Sequence, residues 1–297
     1  MKEKIRQLAE EKNAIILAHN YQPPEIQQAA HMCGDSLELS IRAAETTADV
    51  IVFCGVHFMA ESASILSPEK KVLLPAPDAG CPMADMVTPE ALVKRKNELG
   101  DVPVITYVNS SAAVKAVSDV CCTSANVTRV VESVTGNEVL MTPDRNLARY
   151  AALFTDKTVH LWEGFCPYHD TLTEEDVLAA RKKHPNAVFM AHPECPPGVI
   201  QMADAVKSTS GMLRYAGEVD GDEFIVGTET GLMYPLSKAY PEKRFFPASE
   251  KMFCTDMKKI SLENLGDSLE NLSGEVRVPE EIRKDAYKAV KRMVDLN

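Results

Sequence analysis

The chain lacks an uninterrupted apolar stretch long enough to span a bilayer. Its first residues, Met1-Lys2-Glu3-Lys4-Ile5-Arg6, run into an amphipathic helix rather than the apolar core of a secretory signal. Neither a membrane span nor export is expected, so a cytoplasmic location follows. Excess positive charge is also missing: a formal net charge of −11 argues against nucleic-acid phosphate as a partner, while leaving room for a local basic pocket around a small anion. No low-complexity run, long linker or charge block interrupts the pattern. Of the eight cysteines, no two stand in the C-x2-C spacing usual for zinc sites. In a cytoplasmic chain they are expected to be reduced, metal-binding or catalytic rather than disulfide-bonded.

What is present is a repeat. With 297 residues, 45% of them hydrophobic, length alone allows one large domain or several small ones. Three blocks each open with an apolar strand running into a polar cluster: Ile15-Ile16-Leu17-Ala18-His19-Asn20-Tyr21, Val104-Ile105-Thr106-Tyr107-Val108-Asn109 and Val188-Phe189-Met190-Ala191-His192-Pro193-Glu194. His19, Tyr107 and His192 are thereby equivalent, and a hydroxyl stands 17 residues after each, at Ser36, Ser124 and Thr209. A second strand follows (Val50–Phe53, Glu138–Met141, Phe224–Val226), then a helical stretch. A third strand is introduced by Lys71, Lys157 or Arg244, and ten, nine and ten residues later come Cys81, Cys166 and Cys254. Such self-similarity marks a pseudosymmetric fold, and the period exceeds that of solenoids.

Near-continuous apolar strands alternating with helical patterns read as parallel sheets covered on both faces. The expected class is α/β: three pseudosymmetric αβα domains with small parallel sheets and a site at their central interface. The boundaries fall at 1–88, 89–172 and 173–260, and a tail, 261–297, packs back on the first repeat and closes a ring. Linking helices start at Pro89 after Thr88 and at Glu174 after Thr173, each with a Thr cap and early acids. The first block's counterpart runs from Lys4 to Lys12. The tail adds another linking helix, a strand at Glu275–Val278 and a helix from Glu280 to about Leu296.

In parallel α/β units, ligands bind beyond the carboxyl ends of the strands, where His19, Tyr21, Tyr107, Asn109, His192 and Glu194 lie. Ser36, Ser124, Ser208 and Thr209 precede helical stretches, where hydroxyls and backbone N–H groups suit phosphate or carboxylate. Taken singly, a Ser before a helix is an N-cap, and a lone His after a strand is a structural residue. Divergence of one position into His, Tyr and His, with companions Tyr21, Asn109 and Glu194, suits a shared pocket better than a cap.

Cys81, Cys166 and Cys254 occupy loops, whereas Cys33, Cys54, Cys121, Cys122 and Cys195 do not recur in register and read as small buried hydrophobes. Three converging thiolates suit zinc or an iron–sulfur cube; in a cube with three cysteines, one iron keeps an open position for Lewis-acid chemistry. Spacing leaves both open, along with a non-catalytic redox sensor and another iron–sulfur hydro-lyase.

Across almost its whole length the chain resembles the quinolinate synthase family (quinolinate synthetase A). The stretches that carry the resemblance are Ala18-His19-Asn20-Tyr21-Gln22, Gly34-Asp35-Ser36-Leu37, Cys81-Pro82-Met83-Ala84, Tyr107-Val108-Asn109-Ser110, Cys122-Thr123-Ser124-Ala125-Asn126, Pro143-Asp144-Arg145-Asn146-Leu147, His192-Pro193-Glu194-Cys195, Gly227-Thr228-Glu229 and Met257-Lys258-Lys259. It departs from the family's Gly-x-Cys-x-Val-His at Tyr168, in Gly164-Phe165-Cys166-Pro167-Tyr168-His169. The resemblance implies a [4Fe-4S] cluster held by Cys81, Cys166 and Cys254. It also implies condensation of iminoaspartate with dihydroxyacetone phosphate to quinolinate for de novo NAD biosynthesis, and functional coupling to an aspartate oxidase or dehydrogenase. The implied substrate contacts are His19, Ser36, Tyr107, Val108, Asn109, Ser124, His192, Pro193, Glu194 and Thr209, with Tyr21 and Ser208 beside them. Glu194, with Tyr21 and a histidine (His19 or His192), is the implied proton-transfer group.

Overall fold

Each repeat is organised by a central strand buried on both faces, with the other strands lined up in parallel beside it. The computed structural model describes residues 1–296, so Asn297, the end of the expected tail, lies outside the described residues. The first repeat holds β1 (Ala14–His19), β2 (Met32–Gly34), β3 (Val50–Cys54) and β4 (Lys71–Leu73). The second holds β5 (Val104–Tyr107), β6 (Val120–Cys122), β7 (Glu138–Thr142) and β8 (Thr158–Leu161). The third holds β9 (Val188–Ala191), β10 (Ala205–Val206), β11 (Glu223–Gly227) and β12 (Arg244–Pro247). Their orders, β2-β1-β3-β4, β6-β5-β7-β8 and β10-β9-β11-β12, are one topology three times, with parallel pairing throughout. With flanking helices these are three αβα units, the α/β class expected.

Each sheet has four strands where the sequence suggested three. The additional ones, β2, β6 and β10, span only two or three residues and carry too little apolar pattern to stand out. They explain the 17-residue offset. His19 pairs with Gly34 and Tyr107 with Cys122, and Lys207 follows the Ala191–Val206 pair at the corresponding place; the hydroxyl comes two residues later each time.

Register corrects two further readings. Cys33 lies opposite Ala18 and Cys121 opposite Thr106, so these two cysteines do recur. Thr158, not Lys157, is the partner of Glu138 that matches Lys71 opposite Val50 and Arg244 opposite Glu223, so Cys166 arrives two residues sooner than its counterparts. Cys54, Cys121, Cys122 and Cys195 are fully buried, as small core hydrophobes should be, and Cys33 is half-buried.

The linking helices Pro89–Glu98 and Glu174–Lys183 start where expected, with the Thr88 and Thr173 hydroxyls accepting from the third residue of each helix. The N-terminal helix spans Lys2–Glu11, beginning two residues earlier than its pattern suggested. The expected strand at Glu275–Val278 is a single antiparallel bridge, Leu73 to Glu275. Leu74 N–H donates to Gly274 O and Val276 N–H to Val72 O, so this segment covers the open edge of β4. Gly274 sits at φ +79°, and a Cβ there would meet Leu74 O at 2.3 Å, so the close approach requires glycine.

The helix Leu262–Asn271 lies on the N-terminal helix, and Glu280–Asp295 packs on the helices His57–Leu66 and Ala112–Ala116 and on β6. The last helix therefore joins the second repeat to the first, burying Ala286, Ala289, Val290 and Met293. No described helix is long and apolar enough to cross a membrane. Because Met293 is fully buried, Met293→Ala is expected to cost about 2–5 kcal/mol in denaturant unfolding. A cost below about 1 kcal/mol, the scale of a surface change, would show that this helix is not part of the core.

Candidate active site at the junction of the three repeats

The carboxyl ends of the central strands point at one cavity. Twelve of the residues singled out above line it: His19, Tyr21 and Ser36 from the first repeat, Tyr107, Asn109 and Ser124 from the second, His192, Glu194 and Thr209 from the third, and Cys81, Cys166 and Cys254. Val108, Pro193 and Ser208 do not line it. Val108 and Pro193 are buried in the strand-end turns between the polar members.

Ser208 is a helix cap: its hydroxyl accepts from Gly211 N–H at 3.2 Å and donates to Asp35 Oδ2 at 3.0 Å. Asp35 in turn caps Ser36–Glu45 with a capping box. Ser36 and Thr209 are thus the first residues inside their helices, which leaves their hydroxyls free of capping duty. Ser124 sits two residues before the cap Asn126, with its Oγ 3.2 Å from His192 Nε2.

Glu194 is the buried centre. Its Oε1 accepts from the Tyr107 hydroxyl at 2.5 Å, its Oε2 lies 2.7 Å from His169 Nδ1, and its backbone carbonyl accepts from Asn146 Nδ2 at 3.0 Å. Burial alone would raise this carboxyl. The His169 ring, with the hydrogen bonds from His169 and Tyr107, more than offsets that and holds it well below the usual carboxylate range. Burial first and the Glu194 charge second push Tyr21 and Tyr107 well above the ordinary phenol value, so both remain protonated donors. Burial lowers His19 and His192 to about 3, leaving both rings neutral at pH 7.

Beyond Glu194 runs a chain of polar contacts. His169 Nε2 lies 2.8 Å from Thr228 Oγ1, and Thr228 hydrogen-bonds the Tyr21 hydroxyl. His169 stacks on His192 with ring centroids 4.7 Å apart. The histidine touching Glu194 most closely is therefore His169, not His19 or His192. His169 and Thr228 stood in recognised motifs without a role, since only folding brings them together. Glu229, Met257 and Asp35, which also line the cavity, were missed the same way. Tyr168, the departure from the family pattern, places its hydroxyl 3.1 Å from Thr255 Oγ1 and so ties the Cys166 loop to the Cys254 loop.

The donor set can be tested against a metal centre. Burial pushes Cys81 up to about 12, Cys254 to about 11 and Cys166 well above its ordinary value, so these are neutral thiols unless a cation deprotonates them. Sulfurs on one tetrahedral zinc sit about 3.8 Å apart. Among the described residues the one set of such side chains whose ligand atoms all lie within 4.8 Å is Cys166, His169 and Glu194, and the three cysteines do not form such a set. Their wider spread around one cavity suits a cluster, in which each thiolate takes its own iron. The Cys166–His169–Glu194 set fits a lone ion poorly. Its 2.7 Å His169–Glu194 contact is a hydrogen bond, whereas two N/O ligands of one zinc are separated by about 3.3 Å. Asn109 Oδ1 is a buried acceptor with no hydrogen-bond partner among the described residues.

Comparison with known proteins places the chain in a family. The chain matches the quinolinate synthetase A protein family over residues 3–295. The quinolinate synthase of Geobacter sp. (strain M21) is 54% identical over 294 residues, 99% of this chain and 97% of the relative. Quinolinate synthase 2 of Methanosarcina acetivorans is 52% identical over 295 residues, 99% and 95% of the two chains. The quinolinate synthase of Methanoregula boonei is 52% identical over 296 residues, 100% and 98%. Since the match covers all three repeats and the whole stretch of chain that lines the cavity, the chain belongs to the quinolinate synthetase A family of enzymes.

Proposed function

We propose that the chain condenses iminoaspartate (iminosuccinate) with dihydroxyacetone phosphate to give quinolinate, one phosphate and two waters, feeding de novo NAD biosynthesis in the cytoplasm. Iminoaspartate would come from an aspartate oxidase or dehydrogenase acting alongside it. The observation that carries this reading is the convergence of three cysteines, the Ser36, Ser124 and Thr209 hydroxyls and the Glu194 network on one cavity. Cys81, Cys166 and Cys254 would hold a [4Fe-4S] cluster with one iron free of cysteine. When bound, the cluster supplies a Lewis acid for loss of water.

The chain's own groups divide the remaining work. Ser36, Ser124 and Thr209, two of them at the first turn of a helix, bind the carboxylates and the phosphate. Neutral His19 and His192 hydrogen-bond substrate oxygens without adding charge, and Asn109 Oδ1 accepts from a substrate N–H or O–H. Glu194 takes a proton during triose isomerisation and ring closure. His169 and Tyr107 hold it ionised, and Tyr107 O–H can return a proton to the same region. Tyr21, joined to His169 through Thr228, is a second proton donor.

Anaerobically purified protein given both substrates should form quinolinate; cluster-replete protein that forms none would end this reading. Glu194→Gln should keep its iron and lose about 10²–10⁴-fold in turnover, and full turnover would remove Glu194 from the central role. Cys81→Ser, Cys166→Ser and Cys254→Ser should each abolish iron binding, whereas Cys33→Ser and Cys54→Ser should not. A pH test follows from the neutral rings. His19 and His192 titrate at about 3 in the folded protein, against about 6.5 when unfolded. Between those values the unfolded chain binds more protons, so stability falls as pH drops from about 6.5 toward 3. His192→Gln should flatten that slope in apo-protein melts, and an unchanged slope would contradict the burial assigned to this ring.

A further inference from the structure

In the cavity wall lies a largely buried ion pair, Glu229 with Lys258, for which the mechanism above has no use. Glu229 is 1% exposed, and every contact it makes is with a part of the site or its support. Its Oε1 accepts from the backbone N–H of Cys254 at 3.1 Å and lies 2.8 Å from Lys258 Nζ. Its Oε2 accepts from Gly231 N–H at 2.8 Å and from Lys258 Nζ at 2.9 Å. Lys258 also donates to the backbone carbonyl of Tyr21, across the boundary between the third repeat and the first. The residue before Glu229 is Thr228, the link between His169 and Tyr21. A Cβ on Gly231 would fall 2.5 Å from Tyr21 O, 2.7 Å from Glu229 Oε2 and 2.7 Å from Lys258 Nζ, so the knot closes only around glycine.

We propose that Glu229 and Lys258 are a positioning pair that sets Tyr21 of the first repeat against Cys254 and Thr228 of the third. The proposal rests on the assignment of Cys254 as a cluster ligand and Tyr21 as a proton donor. A buried carboxylate with three donor groups and an ammonium shared between two repeats contribute little net stability, because desolvation offsets most of their attraction. What they supply is geometry. The same carboxylate oxygen that fixes the cysteine's backbone is held by the ammonium that fixes the tyrosine's backbone, so neither can move without the other. Loosening either charge should therefore disturb cluster retention and turnover together.

The test uses reconstituted holoenzyme. Glu229→Gln, Lys258→Met, the double variant and Gly231→Ala are compared with wild type for the rate of iron loss to a chelator and for kcat per bound cluster. Each single change is expected to speed iron loss and to lower kcat in parallel, by roughly 10–100-fold as for other residues that orient metal ligands, with KM little moved. The double variant should be no worse than the worse single, the signature of one shared interaction. Apo-protein melting identifies any variant that fails to fold. If Lys258→Met does, Glu229→Gln and Gly231→Ala still decide, the latter because it keeps both charges. Effects that multiply in the double variant, a kcat that falls while iron loss stays at the wild-type rate, or a Gly231→Ala enzyme indistinguishable from wild type would each overturn the proposal. A Cys254→Ser protein, otherwise unchanged, that keeps its iron would instead overturn the cluster reading on which it rests.

Discussion

Parallel pairing between a long central strand and a strand of two or three residues determines where the chemistry can sit. In each repeat the short strand aligns the end of β1, β5 or β9 so that His19, Tyr107 or His192 faces a helix start carrying Ser36, Ser124 or Thr209. A slip of one residue would turn every side chain on the strand to its other face, and the polar residue would leave the cavity. The helix starts, the cysteine loops and the Glu194 network depend on this register. Repeating it three times about one axis turns three small, unremarkable ligand corners into one enclosed site.

Enclosure has an electrostatic cost, and the structure meets it with protein partners. Glu194, His169, Thr228, Tyr21 and Tyr107 satisfy one another, and Glu229 is satisfied by Lys258 and two backbone N–H groups. Polar groups oriented before a substrate arrives need not reorganise during reaction, which is where most electrostatic catalysis originates. The neutral state of His19 and His192 belongs to the same design, because buried cationic rings would compete with Lys258 for the available negative charge.

Much of this was legible before folding was considered. The triplication, the α/β class, the equivalence of His19, Tyr107 and His192 and the set of three loop cysteines follow from residue order, because a duplicated backbone keeps its spacing. The short strands β2, β6 and β10 were hidden, since two or three residues carry no periodicity. Cys33 and Cys121 looked unrelated because their equivalence lies in strand pairing, not in strand pattern. Ser36 and Ser124 read as helix-preceding residues, yet Ser36 is the first residue inside a helix capped by Asp35 and Ser124 stands two residues before the cap position Asn126, distinctions that only backbone geometry resolves. His169, the Thr228–Glu229 pair and Lys258 come from separate segments, and their contacts with one another and with Tyr21 arise from how the chain folds and the repeats dock. Local sequence carries no signal for docking.

The central claim is that threefold convergence produces a cluster with one iron left for substrate. Mössbauer spectroscopy of ⁵⁷Fe-reconstituted protein, with and without substrate-like dicarboxylate, tests it most directly. The account predicts a [4Fe-4S] signal in which one iron in four is distinct and shifts when the ligand binds. Four equivalent irons unaffected by the ligand, or a protein that holds zinc and no iron, would contradict it.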